Sequence, residues 1–287
     1  MKNFAVIGNP IAHSRSPEIH QAFAKQTGIA IIYRRLEAPV GADDSGFAEV
    51  VRAFSADGGV GMNVTAPFKE AAFRLASEVS ERSRLAEASN TLMADGHGGW
   101  CADNTDGIGL VRDLTGRLGL SLTGRRVLIL GAGGASAGIL GPLLDSRPSQ
   151  VVVWNRSVDK ARGLIGRFAS VYPDAPLSAF SDVHADSEMF DLVIHATSLK
   201  TRASKASDMS AAWPWLTSLC TPDTFFYDLD YADNEETFFL KGVKMCGACR
   251  WSDGLGMLVE QAAESFRIWH GVLPETLPVF SALRPEK

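Results

Sequence analysis

Four cysteines in 287 residues are too few for a scaffold stapled by disulfides. Cys246 and Cys249 form a Cys-x-x-Cys pair, but no second pair exists to complete a closed zinc site. Trp251, Ser252, Asp253 and Gly254 follow that pair where a thiol-redox motif would open a helix, so ordinary thiols are expected. A surplus of positive charge is also missing. Against 33 acidic residues there are 28 Lys and Arg, a net charge of −5, which leaves no basic footprint for nucleic acid or an anionic membrane surface. Long apolar runs are scarce. The N-terminus offers five apolar residues before Pro10, too short for a signal-peptide core, so a cytoplasmic protein is expected. Residues 127–144 carry no charge over eighteen positions, but five glycines and Pro142 interrupt any membrane span. A strand–turn–helix accounts for each of those glycines. Repeats and low-complexity tracts are absent, and a small molecule is the expected partner.

What is present is alternation. "NFAVIGN", "IIYRRLEA" and "GVGMNVT" read as strands. Between them Ile19, Ala22 and Phe23, then Phe47, Val50, Val51 and Phe54, recur at helical spacing. "GIGLVRDLTGRLGL" places Ile108, Val111, Leu114 and Leu118 on one face of a connecting helix. Beyond it "RVLIL", "QVVVWN", "FDLVIHA" and "TFFYDLD" read as strands, with Val158, Ala161, Leu164, Ile165 and Phe168 striping a helix between the second and third of these. Strands alternating with helices predict an α/β protein of two α/β domains, the first with a mostly parallel sheet and the second of Rossmann type. A last helix from Gly254 to about His270 is expected to return to the first domain.

"GAGGAS" (Gly131, Ala132, Gly133, Gly134, Ala135, Ser136) lies between strand and helix, the context in which such a turn binds a dinucleotide. Gly131 permits the tight turn, Gly133 lets backbone N–H groups approach a pyrophosphate, and the helix N-terminus favours the anion. Ser136 stands where a strict fingerprint has its third glycine, and it is small enough for close packing. The next strand ends in Asn155, Arg156 and Ser157, with no acid before Asp159. NAD sites place an acid there to hold the ribose 2′-hydroxyl, whereas Arg suits a 2′-phosphate. Arg156, Ser157 and Lys160 therefore point to NADP.

Outside this unit, Ser14, Ser16, Thr65, Lys69, Asn90 and Asp106 assemble hydroxyl, amide, ammonium and carboxylate groups that suit a polyhydroxylated acid. Each has a structural alternative. Ser16 before Pro17 and Asp106 before "GIGL" are good helix caps, Asn90 suits a turn, and a lone Lys69 suits the surface.

Taken together, "GNPIAHSRSP", "NVTAPFKE", "SNTLM", "DNTDG", "GAGGAS", "NRS" and "DGLGMLVEQAA" resemble shikimate dehydrogenases, in the same order and from about Phe4 to Leu277. The resemblance implies NADP-dependent interconversion of shikimate and 3-dehydroshikimate, a step of aromatic amino-acid (chorismate) biosynthesis. It implies a substrate domain of residues 1–106 and 254–287, an NADP-binding domain of residues 107–253, and an active site in the cleft between them. Lys69 and Asp106 resemble the catalytic pair. Ser14 and Ser16 match contacts to the substrate carboxylate; Thr65, Asn90 and Gln261 match contacts to carboxylate or ring hydroxyls, and Tyr231 joins them. Thr197, Ser198 and Gly254 join the glycine turn, Asn155, Arg156, Ser157 and Lys160 as cofactor contacts. The chain departs from the family at Ser89, at Ala137, at Ser157 and Lys160, and at His195, where Asn is typical. "LKTRASKASD" lacks the usual glycine, and the segment after Tyr231 is one residue longer. These departures admit a slower secondary copy; an NAD-using quinate/shikimate dehydrogenase, towards which only Asp159 leans, and a non-catalytic NADP-dependent metabolite sensor are further alternatives. A monomer or a homodimer fits the sequence equally.

Overall fold

A computed structural model describes residues 1–41, 43–180, 189–197, 216–232 and 236–284. The chain divides into two compact units, Met1–Arg112 with Leu258–Lys287, and Asp113–Met257.

The first unit begins β1 (Lys2–Gly8), α1 (Ser16–Thr27), β2 (Ile31–Glu37), α2 (Ser45–Ala56), β3 (Gly59–Val64) and α3 (Lys69–Leu75). It continues with β4 (Glu78–Val79), α4 (Glu81–Ala86), β5 (Thr91–Ala94), β6 (Trp100–Asp103) and α5 (Asp106–Arg112). Its sheet has the order β2-β1-β3-β5-β6-β4. Only β5 runs against its neighbours; β1 is parallel to β2 and β3, and β4 is parallel to β6. The carboxyl ends of β1, β3 and β6 and the amino end of β5 therefore share one edge. Both faces of the sheet are covered, which is why β1 reads as an unbroken apolar run. Phe4 and Val6 enter one core with Ile19 and Phe23, while Ala5 and Ile7 enter another with Phe47, Val51 and Phe54.

The second unit holds β7 (Arg126–Leu130), α6 (Gly134–Asp145), β8 (Gln150–Trp154), α7 (Val158–Ala169), β9 (Leu177–Ala179) and β10 (Phe190–His195). β11 (Cys220–Asp228), α8 (Phe238–Met245) and β12 (Arg250–Ser252) complete it. Its strands are all parallel, in the order β12-β11-β10-β7-β8-β9. Counted from β7 this is the 3-2-1-4-5-6 order of doubly wound dinucleotide-binding sheets, with the switch point between β7 and β10. The uncharged run at 127–144 becomes β7, a turn and α6. Among the described residues no helix is long and apolar enough to cross a membrane. Cys246 and Cys249 are exposed free thiols, and the described residues contain no cluster of three or more potential metal ligands.

The connecting helix differs from its sequence pattern. α5 ends at Arg112 and gives way to a π-helical turn at Asp113–Arg117. The buried residues are Asp106, Gly107, Gly109, Leu110, Asp113 and Leu114; Ile108 and Val111 are only partly covered. The reason is a polar anchor that apolar periodicity cannot register. Asp113 is fully buried and accepts hydrogen bonds from Arg117 at 2.6 Å and from the Tyr227 hydroxyl at 2.7 Å.

α9 (Leu255–His270) starts in the second unit and continues into the first, where α10 (Leu277–Leu283) follows. Val259, Ala262, Ala263, Phe266 and Trp269 fill the core over Phe4, and the Trp269 indole donates to the Leu92 carbonyl at 3.0 Å. Beside them Glu264 is buried against Arg267 at 2.6 Å, Arg112 at 3.0 Å and Arg82 at 3.6 Å. Burial alone would raise the Glu264 carboxyl, but the hydrogen bond from Arg267 and the charge of Arg112 outweigh it and bring the pKa to about 2. A carboxyl lowered on folding stabilises fully above its unfolded pKa and loses that contribution as pH falls through the folded one. Glu264→Gln should lower stability at pH 7 by about 1–3 kcal/mol in urea unfolding. It should also flatten the loss that the native chain shows as pH drops from about 4.5 towards 2. Parallel pH profiles for the two proteins across that window would reject this account.

Candidate active site

Four segments meet at the shared edge of the first sheet. Lys69 is the first residue of α3, placed there by the turn after β3, and its Nζ lies 2.5 Å from Asp106 Oδ2. The Asp106 side chain is 6% exposed and that of Lys69 is 20% exposed, so the pair is sheltered with the ammonium still accessible. Asn90, just before β5, donates to the other carboxylate oxygen, Asp106 Oδ1, at 2.8 Å. The same amide nitrogen contacts Thr105 Oγ1 at 2.9 Å and Gln261 Oε1 at 3.0 Å, while Asn90 Oδ1 accepts from the Thr105 N–H at 2.8 Å. Gln261 is itself held through its Nε2, which donates to the Leu258 carbonyl at 2.8 Å. Asp106 opens α5 rather than standing ahead of it as a cap.

Ser14 and Ser16 follow β1. Ser16 is not the cap its place before Pro17 suggests: Arg15 holds that position, and no side chain caps α1. The Ser16 hydroxyl instead accepts from Ser14 Oγ at 3.2 Å, and Arg35 grips the Ser14 carbonyl through Nε at 2.9 Å and Nη2 at 2.6 Å. Thr65 ends the β3 turn, its N–H donating to the Ile7 carbonyl at 2.9 Å. Ser14, Ser16, Thr65, Lys69, Asn90, Asp106 and Gln261 thus all belong to the first unit. Tyr231 does not; it lies in the second, its N–H bound to Asp230 Oδ1 at 2.9 Å.

Sequence patterning does not single out a buried relay behind Asn90. Thr91 Oγ1 donates to Asn90 Oδ1 at 3.0 Å and meets Ser265 Oγ at 2.8 Å; Asn63 Nδ2 donates to Ser265 Oγ at 3.0 Å, and the Tyr33 hydroxyl donates to Asn63 Oδ1 at 2.7 Å. Asn63 and Thr105 sit inside the "NVTAPFK" and "DNTDG" motifs, which is the only trace of them in the chain. Ser265 has one cue, its place four residues beyond Gln261 on one helix face.

In the second unit Gly131 follows β7 with φ +124°, and a Cβ there would come within 2.9 Å of the Ala196 carbonyl oxygen. Gly133 is the residue before α6, and no side chain caps that helix, so its first N–H groups remain available to an anion. Ala132 lies in the turn, Gly134 and Ala135 open α6, and Ser136 is buried with a hydroxyl that has no partner among the described residues. Asn155 Nδ2 donates to the Ser157 carbonyl at 2.9 Å, closing the turn after β8. Arg156, Ser157 and Lys160 are exposed, and among the described residues neither the Arg156 nor the Lys160 side chain makes an ion pair or hydrogen bond. Asp159 lies within α7, past the end of β8. Two cationic side chains without a partner among the described residues fit a 2′-phosphate, and the uncapped start of α6 fits a pyrophosphate, so the residues present suit NADP. Gly254 packs against the β11 end, where a Cβ would lie 3.0 Å from the Asp228 carbonyl oxygen. Thr197 follows β10; Ser198 lies outside the described residues.

Strand order and glycine turn together define a dinucleotide-binding protein joined to a second α/β unit. Comparison with known proteins narrows the class. Residues 6–92 match the family described as "Shikimate dehydrogenase substrate binding domain", residues 113–224 "Shikimate / quinate 5-dehydrogenase", and residues 254–279 "Shikimate 5'-dehydrogenase C-terminal domain". A protein named shikimate dehydrogenase (NADP(+)) from Dechloromonas aromatica strain RCB is 48% identical over 281 residues, covering 98% of this chain and 97% of its own. Shikimate 5-dehydrogenase from Thermus thermophilus, solved in complex with NADP(H) and shikimate, superimposes with a TM-score of 0.80 at 30% identity, over 99% of both chains. An Ael1 enzyme from Pseudomonas putida gives 0.80 at 39% identity, over 99% of this chain and 98% of its own. The chain belongs to the shikimate dehydrogenase family.

Asn90→Ala would leave the Thr105 N–H and Asp106 Oδ1 without their shared partner. It should lower stability by about 1–3 kcal/mol in denaturant unfolding, and an unmoved midpoint would mean the network adds nothing.

Proposed function

We propose that this protein is an NADP-dependent shikimate dehydrogenase that interconverts shikimate and 3-dehydroshikimate through a Lys69–Asp106 pair. The observation that carries this reading is the 2.5 Å ion pair at the strand edge, with Asp106 held at its other oxygen by Asn90. The relatives' printed activity supports the substrate.

When bound, NADPH supplies the hydride. In the reducing direction the substrate carbonyl oxygen gains negative charge, and the Lys69 ammonium stabilises it and donates a proton. Asp106 accepts from Lys69 and so keeps the ammonium aimed. Asn90 keeps the carboxylate from rotating, because its amide occupies the second oxygen. In the reverse direction Lys69 takes the proton from the substrate hydroxyl, with Asp106 orienting it. Ser14 and Ser16 supply hydroxyl donors for the substrate carboxylate; Thr65, Asn90, Gln261 and Tyr231 hold the carboxylate or ring hydroxyls. Arg156, Ser157 and Lys160 hold the 2′-phosphate, the turn from Gly131 to Ser136 holds the pyrophosphate, and Asn155, Thr197, Ser198 and Gly254 complete the cofactor contacts. On this reading Met1–Arg112 with Leu258–Lys287 is the substrate unit and Asp113–Met257 the cofactor unit. The absence of an acid at the β8 end argues against NAD as the preferred cofactor.

Absorbance of reduced nicotinamide should rise when shikimate is mixed with NADP+, and far less with NAD+ or quinate. Lys69→Ala should cut kcat by about 10²–10⁴ with a smaller change in KM, and an intact kcat would refute the proton role. Arg156→Ala should raise the KM for NADP+ and leave that for shikimate; an unmoved NADP+ KM would remove Arg156 from the phosphate site.

A further inference from the structure

His195 closes β10, and its two ring nitrogens have different partners. Nδ1 lies 2.8 Å from Asp228 Oδ1, at the end of β11, and Nε2 lies 2.6 Å from Thr197 Oγ1. His195 and Asp228 are buried, and the imidazole stacks on Phe239 of α8 at 4.6 Å and 17°. Asp228 Oδ1 also accepts from the Asp230 N–H at 3.1 Å, so two groups hold the same oxygen. Thr197, by contrast, is only partly covered.

An ionised carboxylate only accepts, so Nδ1 carries the proton that faces Asp228. In the neutral ring Nε2 is then an acceptor, and the one proton of the Thr197 hydroxyl must point to it. The hydroxyl lone pairs are left facing away from the ring. Such a group accepts a hydrogen bond from a ligand hydroxyl and repels a phosphate oxygen, which is itself an acceptor.

Strand order tells which part of the dinucleotide it meets. The pyrophosphate belongs to the turn after β7, and the 2′-phosphate group of Arg156 and Lys160 follows β8, on one side of β7. Thr197 follows β10, on the other side, and Gly131 approaches the adjacent Ala196 carbonyl. The adenosine half therefore runs towards β8 and the nicotinamide half towards β10. We propose that His195, fixed by Asp228, is a positioning residue that turns Thr197 into a hydrogen-bond acceptor for a hydroxyl of the nicotinamide ribose. This rests on the cofactor reading above and adds a polarity to it.

The test measures binding by calorimetry at pH 8, where an ordinary imidazole is uncharged. The probes are NADP+ and 2′,5′-ADP, which lacks the nicotinamide half. Thr197→Val should weaken NADP+ by about 3- to 10-fold, the worth of one neutral hydrogen bond, and leave 2′,5′-ADP unchanged. Thr197→Ser should keep the affinity of the native chain. His195→Asn, too short to bridge Asp228 and Thr197, should weaken NADP+ to a similar degree, and the double variant with Thr197→Val should be no weaker than Thr197→Val alone. Equal NADP+ affinity in Thr197→Val and the native chain overturns the inference and leaves the cofactor assignment standing. So does an equal loss for 2′,5′-ADP, or additive losses in the double variant. A native chain that binds 2′,5′-ADP and NADP+ weakly or not at all overturns both.

Discussion

Asp106 is a carboxylate whose two oxygens are committed to two different partners, and the first unit is organised around that fact. One oxygen takes the Lys69 ammonium and the other takes the Asn90 amide. An ionised carboxylate buried at this depth needs both, since each unmet lone pair would be stranded away from water. To meet them the chain brings α3, the entrance to β5, the start of α5 and, through Gln261, the last long helix to one point. The single antiparallel strand makes this possible: reversing β5 puts Asn90 at the same edge as the residues that follow β3 and β6.

The second unit solves a different problem, which is presenting backbone rather than side chains. Its turn after β7 is left-handed at Gly131 and pressed against the neighbouring strand end, so no larger residue fits there. Among the described residues the Arg156 and Lys160 side chains after β8 have no partner, whereas the Asp106 carboxylate of the first unit is engaged at both oxygens.

The long amphipathic helices and the strands buried on both faces were legible in the sequence, because burial imposes a period on every turn or an unbroken apolar run. β4, β5 and β6 were not. Two or four residues are too few to show alternation, and the hairpin turn between β5 and β6 is organised by the Asp95 carboxylate, a local contact that carries no period. The connecting helix was misjudged because its buried face is anchored by Asp113, and periodicity scores that residue as solvent-facing. Seven polar residues of the first unit were legible through their motifs, yet Thr91 and Ser265 were not, since a small hydroxyl in a core looks the same as one on a surface. Ser16 illustrates the converse: local rules made it a cap, and the three-dimensional arrangement gave its hydroxyl to Ser14.

Asp113–Met257 is inserted into the first unit, whose final helices come from the end of the chain. During synthesis the ribosome releases the whole second sheet before it releases Gln261, Ser265 and Trp269. The inserted unit has every strand it needs at that stage and can fold first. The first unit waits, with Leu92 and Asn90 lacking their partners, until the last helices of the chain emerge. The network around Asp106 and Asn90 is therefore completed late in translation, and a nascent chain stalled before α9 would hold a finished second unit attached to an unfinished first one.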